Sequence, residues 1–475
     1  MLQRLGLLAL LFCLCSLSYG GKQRPNIILV MADDLGWGQV GYYDHPDLET
    51  PNLDAMAANG LRFDRFYAGA PVCSPTRASV LTGRSNDRTG AISHGYALRR
   101  QEKTIATALA NIGYETAHFG KWHLNALRGP GIPLLENDPY HPGHFGFQHW
   151  LTTSNFFDLN PLMSREGAFE DFQGDSSEVV VDQALQFIKK RKDKNRPFFS
   201  VIWYGTPHSP FTAFDEDAAR FSNHEEDKKN QYGEIIAMDR SIGTLRKGLR
   251  DLGIADNTIV WFCSDNGGLK SMGPETVNGL RGFKGSLYEG GIRVPAIIEW
   301  PAVIKKGSAT KTPTATMDIF PTIATLVAAN KEDMLQPSDG SDLSSLINGK
   351  SFERKHPIPF RHIGRGALID GNYKLISLDY EGGEFALYNL EKDPSETTNL
   401  VAEKPKVAKR LIRVFRKWNQ SVDRSAEGKD YPEGKLTTPD PEPMHWAQSK
   451  IFAPYFEEWS KRPEYGYWIE RWTKR

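Results

Sequence analysis

Cysteine is scarce in this chain: there are four in 475 residues, and two of them, Cys13 and Cys15, lie in the first twenty. That leaves Cys73 and Cys263, too few for the disulfide frameworks that staple small exported domains. Net charge is absent too, because 58 Lys and Arg balance 58 Asp and Glu. No global field draws the chain to nucleic acid or to an anionic membrane, so an anionic substrate has to be met by a local basic pocket. Beyond the N-terminus no apolar run is long enough to cross a bilayer, and no internal repeat or low-complexity tract interrupts the sequence.

The N-terminus itself reads as a processing segment. Arg4 supplies the positive start, Leu5 to Leu17 is almost wholly apolar, and Ser18-Tyr19-Gly20 ends in small residues suited to signal peptidase. A membrane anchor is the alternative, but the run is short for a span. A lipoprotein is a second, but Phe12 and Leu14 stand before the two cysteines where a small residue belongs. We therefore expect a signal peptide over 1–20 and export of the chain.

Several short apolar runs predict strands buried on both faces, as in a parallel sheet covered by helices. They are Ile27 to Met31, Phe198 to Tyr204, Ile259 to Cys263 and Val294 to Ile298, with a weaker run at Tyr114 to Phe119. Between them, Ser177 to Lys192 and Gln231 to Leu252 carry apolar residues at helical spacing. This alternation predicts an α/β fold: a large, doubly wound, mainly parallel sheet domain over 21–350. After Asn348-Gly349-Lys350 the pattern changes. Gly366 to Ser377 and Glu384 to Leu390 read as strands joined by turns, with a helix near Val407 to Asn419. We expect a smaller C-terminal α+β domain over 351–475, ending in a tail rich in Trp, Tyr and Pro that wraps back onto the large one.

Four of the buried runs give way to polar residues at their carboxyl ends. Met31 leads to Asp33-Asp34, Tyr204 to Thr206-Pro207-His208, Cys263 to Asp265-Asn266, and Phe119 to Lys121 and His123. Open α/β sheets bind ligands beyond the carboxyl ends of their strands, so four strands delivering polar residues to one edge define a site. Asp33, Asp34, Asp265 and Asn266 offer only hard oxygen ligands, which suits calcium or magnesium rather than zinc. Either pair alone could equally cap a helix; two pairs after two strands favour a metal. Cys73 precedes Pro75, which fits the first turn of a helix running to Gly83, so the thiol sits where exposed amides favour an anion. A structural cysteine or an ordinary nucleophile would also fit there. Cys263, inside an apolar strand, reads as an inert buried thiol.

The run Cys73-Ser74-Pro75-Thr76-Arg77-Ala78-Ser79-Val80-Leu81-Thr82-Gly83-Arg84 resembles the first signature of the type I sulfatases, within the alkaline phosphatase superfamily. Gly113-Tyr114-Glu115-Thr116 with Gly120-Lys121-Trp122-His123 resembles the second. Pro25-Asn26 with Asp33-Asp34, Ser264-Asp265-Asn266-Gly267, Lys284-Gly285, and Glu289 through Pro295 are similar to further elements of the family, as are Leu387-Tyr388-Asn389-Leu390 and Asp393-Pro394. Thr76 replaces the commoner serine and keeps the hydroxyl. The arylsulfatase and N-acetylgalactosamine-6-sulfatase branch is the most similar.

The resemblance implies a sulfuric ester hydrolase acting on a sulfated sugar or polysaccharide, or on an aryl sulfate. It implies that Cys73 is oxidised to formylglycine by a formylglycine-generating or anaerobic sulfatase-maturating enzyme. One hydroxyl of the hydrated aldehyde would attack sulfur, and the second would expel sulfate. Asp33, Asp34, Asp265 and Asn266 would bind one calcium ion together with the modified Cys73. Arg77 would hold the diol, Lys121 and Lys284 would neutralise sulfate oxygens, His123 would take a diol proton, and His208 would protonate the leaving alcohol, with Lys284 as a second source. Rival readings are a phosphodiesterase or phosphonate monoester hydrolase of the same superfamily, and a glycan-binding protein without catalysis. Residues considered for the sugar pocket are His94, His149, Trp150 and Arg281, with Arg361, His362 and Arg365 leaning over from the small domain. Ser154 matches no motif and is left out.

Overall fold

The computed structural model describes residues 24–192 and 196–473. The expected signal peptide over 1–20 lies outside the described residues. At the centre is a ten-stranded mixed sheet. Its heart is five parallel strands in the order Thr258–Ser264, Asn26–Ala32, Phe198–Trp203, Glu115–Lys121, His149–Thr153. Antiparallel pairings flank them: Ala296–Glu299 then Leu61–Phe63 on one side, Leu162–Arg165 then Ala168–Asp171 on the other, the inner strand of each pair running against the five. The edge strand Ser308–Thr310 runs parallel to Leu61–Phe63.

Continuous apolar runs form these strands because both faces are covered. In the first strand Ile27, Leu29 and Met31 enter one core, and Ile28, Val30 and Ala32 enter the other. Phe199, Val201 and Trp203 likewise face away from Phe198 and Ile202. The long helix Glu226–Asp251 and the helices Ser176–Lys192 and Pro51–Asn59 cover one face; Cys73–Thr82, Ile105–Asn111 and Ile319–Val327 cover the other. Each fully buried large apolar side chain contributes about 1.5–3 kcal/mol. Cys263 lies in the same core, 3% exposed.

One expectation changes. The run Val294 to Ile298 is not a single parallel-type strand. Pro295, which has no amide to donate, divides it. Arg293–Val294 pairs with Phe66–Tyr67 in a small separate sheet, and Ala296–Glu299 runs antiparallel to Thr258–Ser264. Hydropathy reports burial, and burial does not encode strand direction.

The small domain is a four-stranded antiparallel meander, Ile358–His362, Arg365–Asp370, Tyr373–Asp379 and Glu384–Asn389. One face sends Leu368, Leu375 and Leu387 against Ala408, Leu411 and Phe415 of the helix Pro405–Ala426. The other sends Phe360, Ala367 and Ile369 against Tyr67, Leu287 and Met317. Beyond that helix, Met444–His445 pairs with Leu127–Arg128. Trp446, Phe452, Trp459 and Tyr465 then pack on Ile132, Leu135 and Leu162 of the large domain. Among the described residues, no helix is long and apolar enough to cross a membrane.

Candidate active site

Strand register assembles the site. Ala32 pairs with Ser264, Met31 with Trp203, and Gly120 with Trp203, so these strands end level. Asp33, Asp265 and Lys121, at or just past those ends, therefore emerge side by side at one edge. Gly120 permits this closeness: its φ is +97°, and a Cβ there would fall 1.9 Å from the Trp203 carbonyl oxygen. Asp34 and His123 sit just past their strands with φ of 66° and 55°, left-handed conformations that non-glycine residues seldom adopt and that cluster at functional sites.

Cys73 is the first residue of the helix Cys73–Thr82, which ends on Gly83 at φ 68°. The thiol is fully buried, with Sγ 3.5 Å from Asp33 Oδ1. Burial and the charge of Asp33 push its pKa well above the ordinary thiol value, which leaves it a poor thiolate nucleophile. One helical turn on, Arg77 donates to Asp265 Oδ2 at 2.8 Å, stands 3.6 Å from Asp33, and lies over Trp203 at 5.0 Å. Lys121 pairs with Asp33. Lys284 contacts both Asp34 oxygens at 2.6 and 2.7 Å. Asn266 donates its amide to Asp34 Oδ1 at 2.8 Å, and its own Oδ1 is buried without a hydrogen-bond partner.

Three buried carboxylates thus meet three cations. Burial opposes ionisation of Asp33, but Lys121, His208, Arg77 and Lys284 outweigh it and hold its pKa far below the usual range. Asp265 behaves oppositely: burial and repulsion from Asp33 push it up to about 7 against the pull of Arg77 and Lys121. The acids differ because their neighbours differ.

Three imidazoles complete the cluster. His123 has both ring nitrogens buried and unpartnered, and burial followed by Lys121 lowers its pKa strongly. Its ring lies 4.8 Å from that of His94, which burial and Lys121 hold down to about 3. His208 Nδ1 is 2.5 Å from the Ser209 carbonyl, which can only accept, so Nδ1 carries a hydrogen and Nε2 faces Asp34 at 3.7 Å. Burial and Lys284 lower His208 to about 4. The ligand atoms of Asp33, Asp34, Cys73 and His208 lie within 4.8 Å of one another, as do those of Cys73, His94 and His123. Cys73 belongs to both groups, so they are two sides of one centre. The donor set of Asp33, Asp34, Asp265 and the orphaned Asn266 oxygen fits a hard divalent cation.

All ten residues read from the sequence as catalytic or metal-binding converge here, and His94 joins them. Other residues considered for the sugar pocket do not. His149 and Trp150 open the strand His149–Thr153 at its opposite end, where His149 lies between Glu115 and Glu166 at 3.0 Å each. Arg281 stacks on Tyr288 at 3.9 Å and donates to the Glu396 carbonyl. Arg361 is engaged by Asp87 at 2.7 Å and Asp423 at 2.5 Å. His362 is 3% exposed, and Arg365 donates to the Gly285 carbonyl, bracing the loop of Lys284. Ser154 Oγ accepts from the Ile132 amide. Sequence reasoning missed Phe156, which stacks on His208 at 4.7 Å. Its signal was a fifth strand end: the β-rich run His149-Trp150-Leu151-Thr152-Thr153 leads to Ser154-Asn155-Phe156.

A buried cysteine at a helix start, facing carboxylates and cations at the strand ends of such a sheet, defines a hydrolase of anionic esters, and comparison with known proteins specifies which. Residues 25–329 match the Sulfatase family model, and residues 283–421 match the model described as N-sulphoglucosamine sulphohydrolase, C-terminal. The chain belongs to the sulfatase family, and it is a sulfatase enzyme. It is 33% identical to N-acetylgalactosamine-6-sulfatase of Sus scrofa over 368 residues, 70% of this chain and 68% of that protein. It is 32% identical to arylsulfatase A of Homo sapiens over 450 residues, 79% of this chain and 83% of that protein. The crystal structure of Ps i-CgsB in complex with k-i-k-neocarrahexaose superposes with a TM-score of 0.75 at 28% identity, covering 83% of this chain and 93% of that one. The phosphonate monoester hydrolase of Agrobacterium radiobacter shares the fold, with a TM-score of 0.59 at 20% identity over 85% of this chain and 96% of that one.

Proposed function

We propose that the chain removes sulfate from a sulfated carbohydrate, using a nucleophile generated at Cys73 by oxidation to formylglycine and one calcium ion held by Asp33, Asp34, Asp265, Asn266 and the modified Cys73. The observation that supports this reading best is the setting of Cys73: a buried, unactivated thiol stands where an oxygen-only donor set and three cations converge. Both relatives are sulfatases by name, and one solved neighbour holds a neocarrahexaose. When in place, formylglycine supplies a hydrated aldehyde with one hydroxyl to attack and one to release the product, and calcium supplies positive charge beside it.

The chain's own side chains do the rest. Arg77, fixed between Asp265 and the Trp203 ring, orients the residue at position 73. Lys121 and Lys284 exchange their carboxylate partners for sulfate oxygens and stabilise the charge that builds on them. Asp265 accepts a proton from the attacking hydroxyl. His123, neutral and unpartnered, accepts a proton at its free ring nitrogen as the product leaves. His208, with Nδ1 committed to the Ser209 carbonyl, presents Nε2 to the leaving alcohol; burial and Lys284 leave that nitrogen unprotonated in the resting site, so it takes up a proton once the anionic ester is bound and then passes it to the alcohol, with Lys284 beside it as a second source. Because Cys73 is fully buried once folded, a formylglycine-generating or anaerobic sulfatase-maturating enzyme reaches it before folding, during export directed by residues 1–20.

Mass spectrometry of the peptide containing Cys73, paired with sulfate release from a panel of sulfated sugars, tests this reading. The expected result is an aldehyde in place of the thiol together with sulfate release. A fully active enzyme with an unmodified thiol would overturn it.

A further inference from the structure

The helix Pro405–Ala426 buries one face and leaves the other to water. Ala408, Leu411 and Phe415 lie against the small sheet. On the outer side Lys406, Lys409, Arg413, Arg416, Lys417 and Arg424 are exposed, with Arg410 among them. At 3.6 residues per turn these positions fall within an arc of about 120°, and at 1.5 Å per residue they run for about 27 Å. From Lys404 to Arg424 the chain carries eight Lys and Arg against one acid, Asp423, although the protein as a whole is balanced. Asp423 turns to Arg361, and Asp370 takes up Arg410 at 2.6 Å. The hairpin Asp379 to Glu384 borders the helix beside Arg416. Among the described residues no ion pair engages the other six cations. A solvated helix face commonly mixes signs, as Glu226–Asp251 does, with Lys229 beside Glu226 at 3.0 Å and Lys247 beside Asp251 at 2.5 Å. The stripe does the reverse. Its cations, three and four residues apart, repel one another. Lys406 stands in the first turn, where the helix dipole disfavours positive charge and no acid offsets it. The packed face, not the stripe, holds this helix in place.

We infer that this stripe is a docking surface for a linear polyanion, a sulfated polysaccharide chain, set apart from the reaction centre. The inference rests on the reading that the substrate is a sulfated carbohydrate. The small sheet stands between the two places: the helix covers one face of it, and the other face packs on Tyr67, Leu287 and Met317, on the side of the Lys284 loop. The stripe therefore touches no ester that is being cleaved. It holds another stretch of polymer and so raises the concentration of esters near the centre. Exposed cations pair weakly one by one, so the hold comes from their number and falls as salt rises. An anionic membrane fits less well, because the arc carries no apolar side chain to insert and the apolar face of the helix is already buried. Single-stranded nucleic acid would find no aromatic ring on the arc to stack its bases on.

The test titrates the whole protein with dextran sulfate at low and high salt, beside neutral dextran, duplex DNA, and vesicles of phosphatidylcholine with phosphatidylserine. Dextran sulfate should bind, less tightly as salt rises, and neutral dextran should not. The triple variant Lys409→Gln, Arg413→Gln, Arg416→Gln places good helix formers at exposed positions. It should weaken binding about tenfold, and Arg413→Gln alone should act in the same direction. A control removes the same charge from exposed positions of the large domain, Lys305→Gln, Lys306→Gln, Lys311→Gln, and should bind nearly as the parent does. An unchanged triple variant, an equal loss in the control, or stripe-dependent binding tighter to DNA or vesicles than to dextran sulfate would overturn the inference. Hydrolysis of 4-nitrophenyl sulfate should be the same in parent and triple variant, and it separates this inference from the proposed function. Turnover without stripe-dependent binding sinks the docking surface and leaves the reaction standing. Stripe-dependent binding by a protein that releases sulfate from no ester does the opposite.

Discussion

Two regions of this molecule are built from the same parts, buried arginines and acids, and differ in how completely they are paired. At the joint between the large domain and the C-terminal segments, Arg88 meets Asp339 at 2.8 and 3.1 Å, Arg354 meets Asp318 at 2.6 and 2.8 Å, and Arg99 meets Asp440 at 2.6 and 2.8 Å. Each is a two-pronged pair that satisfies both sides. At the strand edge, Arg77 makes one close ion pair, Asn266 Oδ1 has no partner, and both nitrogens of His123 are unpartnered. Buried polar atoms without partners are costly. A closed network joins domains; an open one waits for an ion and a substrate.

Cys73→Ala should break the comparison most sharply. Turnover should fall by about 10⁴-fold or more, while circular dichroism and Tm stay near those of the parent. Strong residual activity in the folded variant would mean the open region is not the reaction centre. Metal removal comes next. Elemental analysis should find about one hard divalent ion per chain, and chelation should abolish activity and lower Tm. Restoring calcium at a hundredfold excess over its Kd should return about 2.7 kcal/mol. Chelation should leave the joint intact, as limited proteolysis would report.

His208→Ala separates substrates. It should cost about 10²–10⁴-fold on sugar sulfates, whose alcohols leave poorly, and far less on 4-nitrophenyl sulfate, whose phenolate needs little protonation. Equal losses on both would remove His208 from the role of acid. Asp339→Ala attacks the joint instead. It strands Arg88 and also frees the Trp418 indole and the Ser85 amide. Breaking such a buried pair should cost about 3–5 kcal/mol of stability, read by denaturant titration, with kcat of the folded fraction unchanged. Arg361→Ala should show the smallest effect, because Arg361 is only part-buried and pairs with Asp87 and Asp423. We expect a loss of about 1–2 kcal/mol and equal activity on sugar and aryl substrates. A selective loss on the sugar would return Arg361 to substrate recognition.

Much of the strand edge was legible in the sequence, for a physical reason. A strand buried on both faces has no polar position of its own, so the first polar residues after it mark its end. Asp33, Asp265 and His208 are read that way, with no knowledge of the third dimension. The direction of Ala296–Glu299 was not legible, because parallel and antiparallel strands bury the same side chains. The partners of Arg361 were hidden for a related reason. A cation on a strand of the small domain looks free until its carboxylates, Asp87 and Asp423, arrive from distant segments. Phe156 escaped because one aromatic residue in a loop has no period to betray it, and its role depends on the stacking of His208.

The left-handed backbone at Asp34 and His123 sets a ceiling on heat tolerance. Holding a residue in such a conformation costs on the order of 1–3 kcal/mol, and here the cost falls on two side chains that must point into one space. Replacing Asp34 with glycine would relax its share of that cost but strand Lys284 and the Asn266 amide, a larger loss, besides removing a ligand of the proposed ion. The strain is therefore locked in by the same contacts that form the site and cannot be relieved one residue at a time. A search for hardier variants would have to find its gains elsewhere, in the helices and in the paired arginines of the joint.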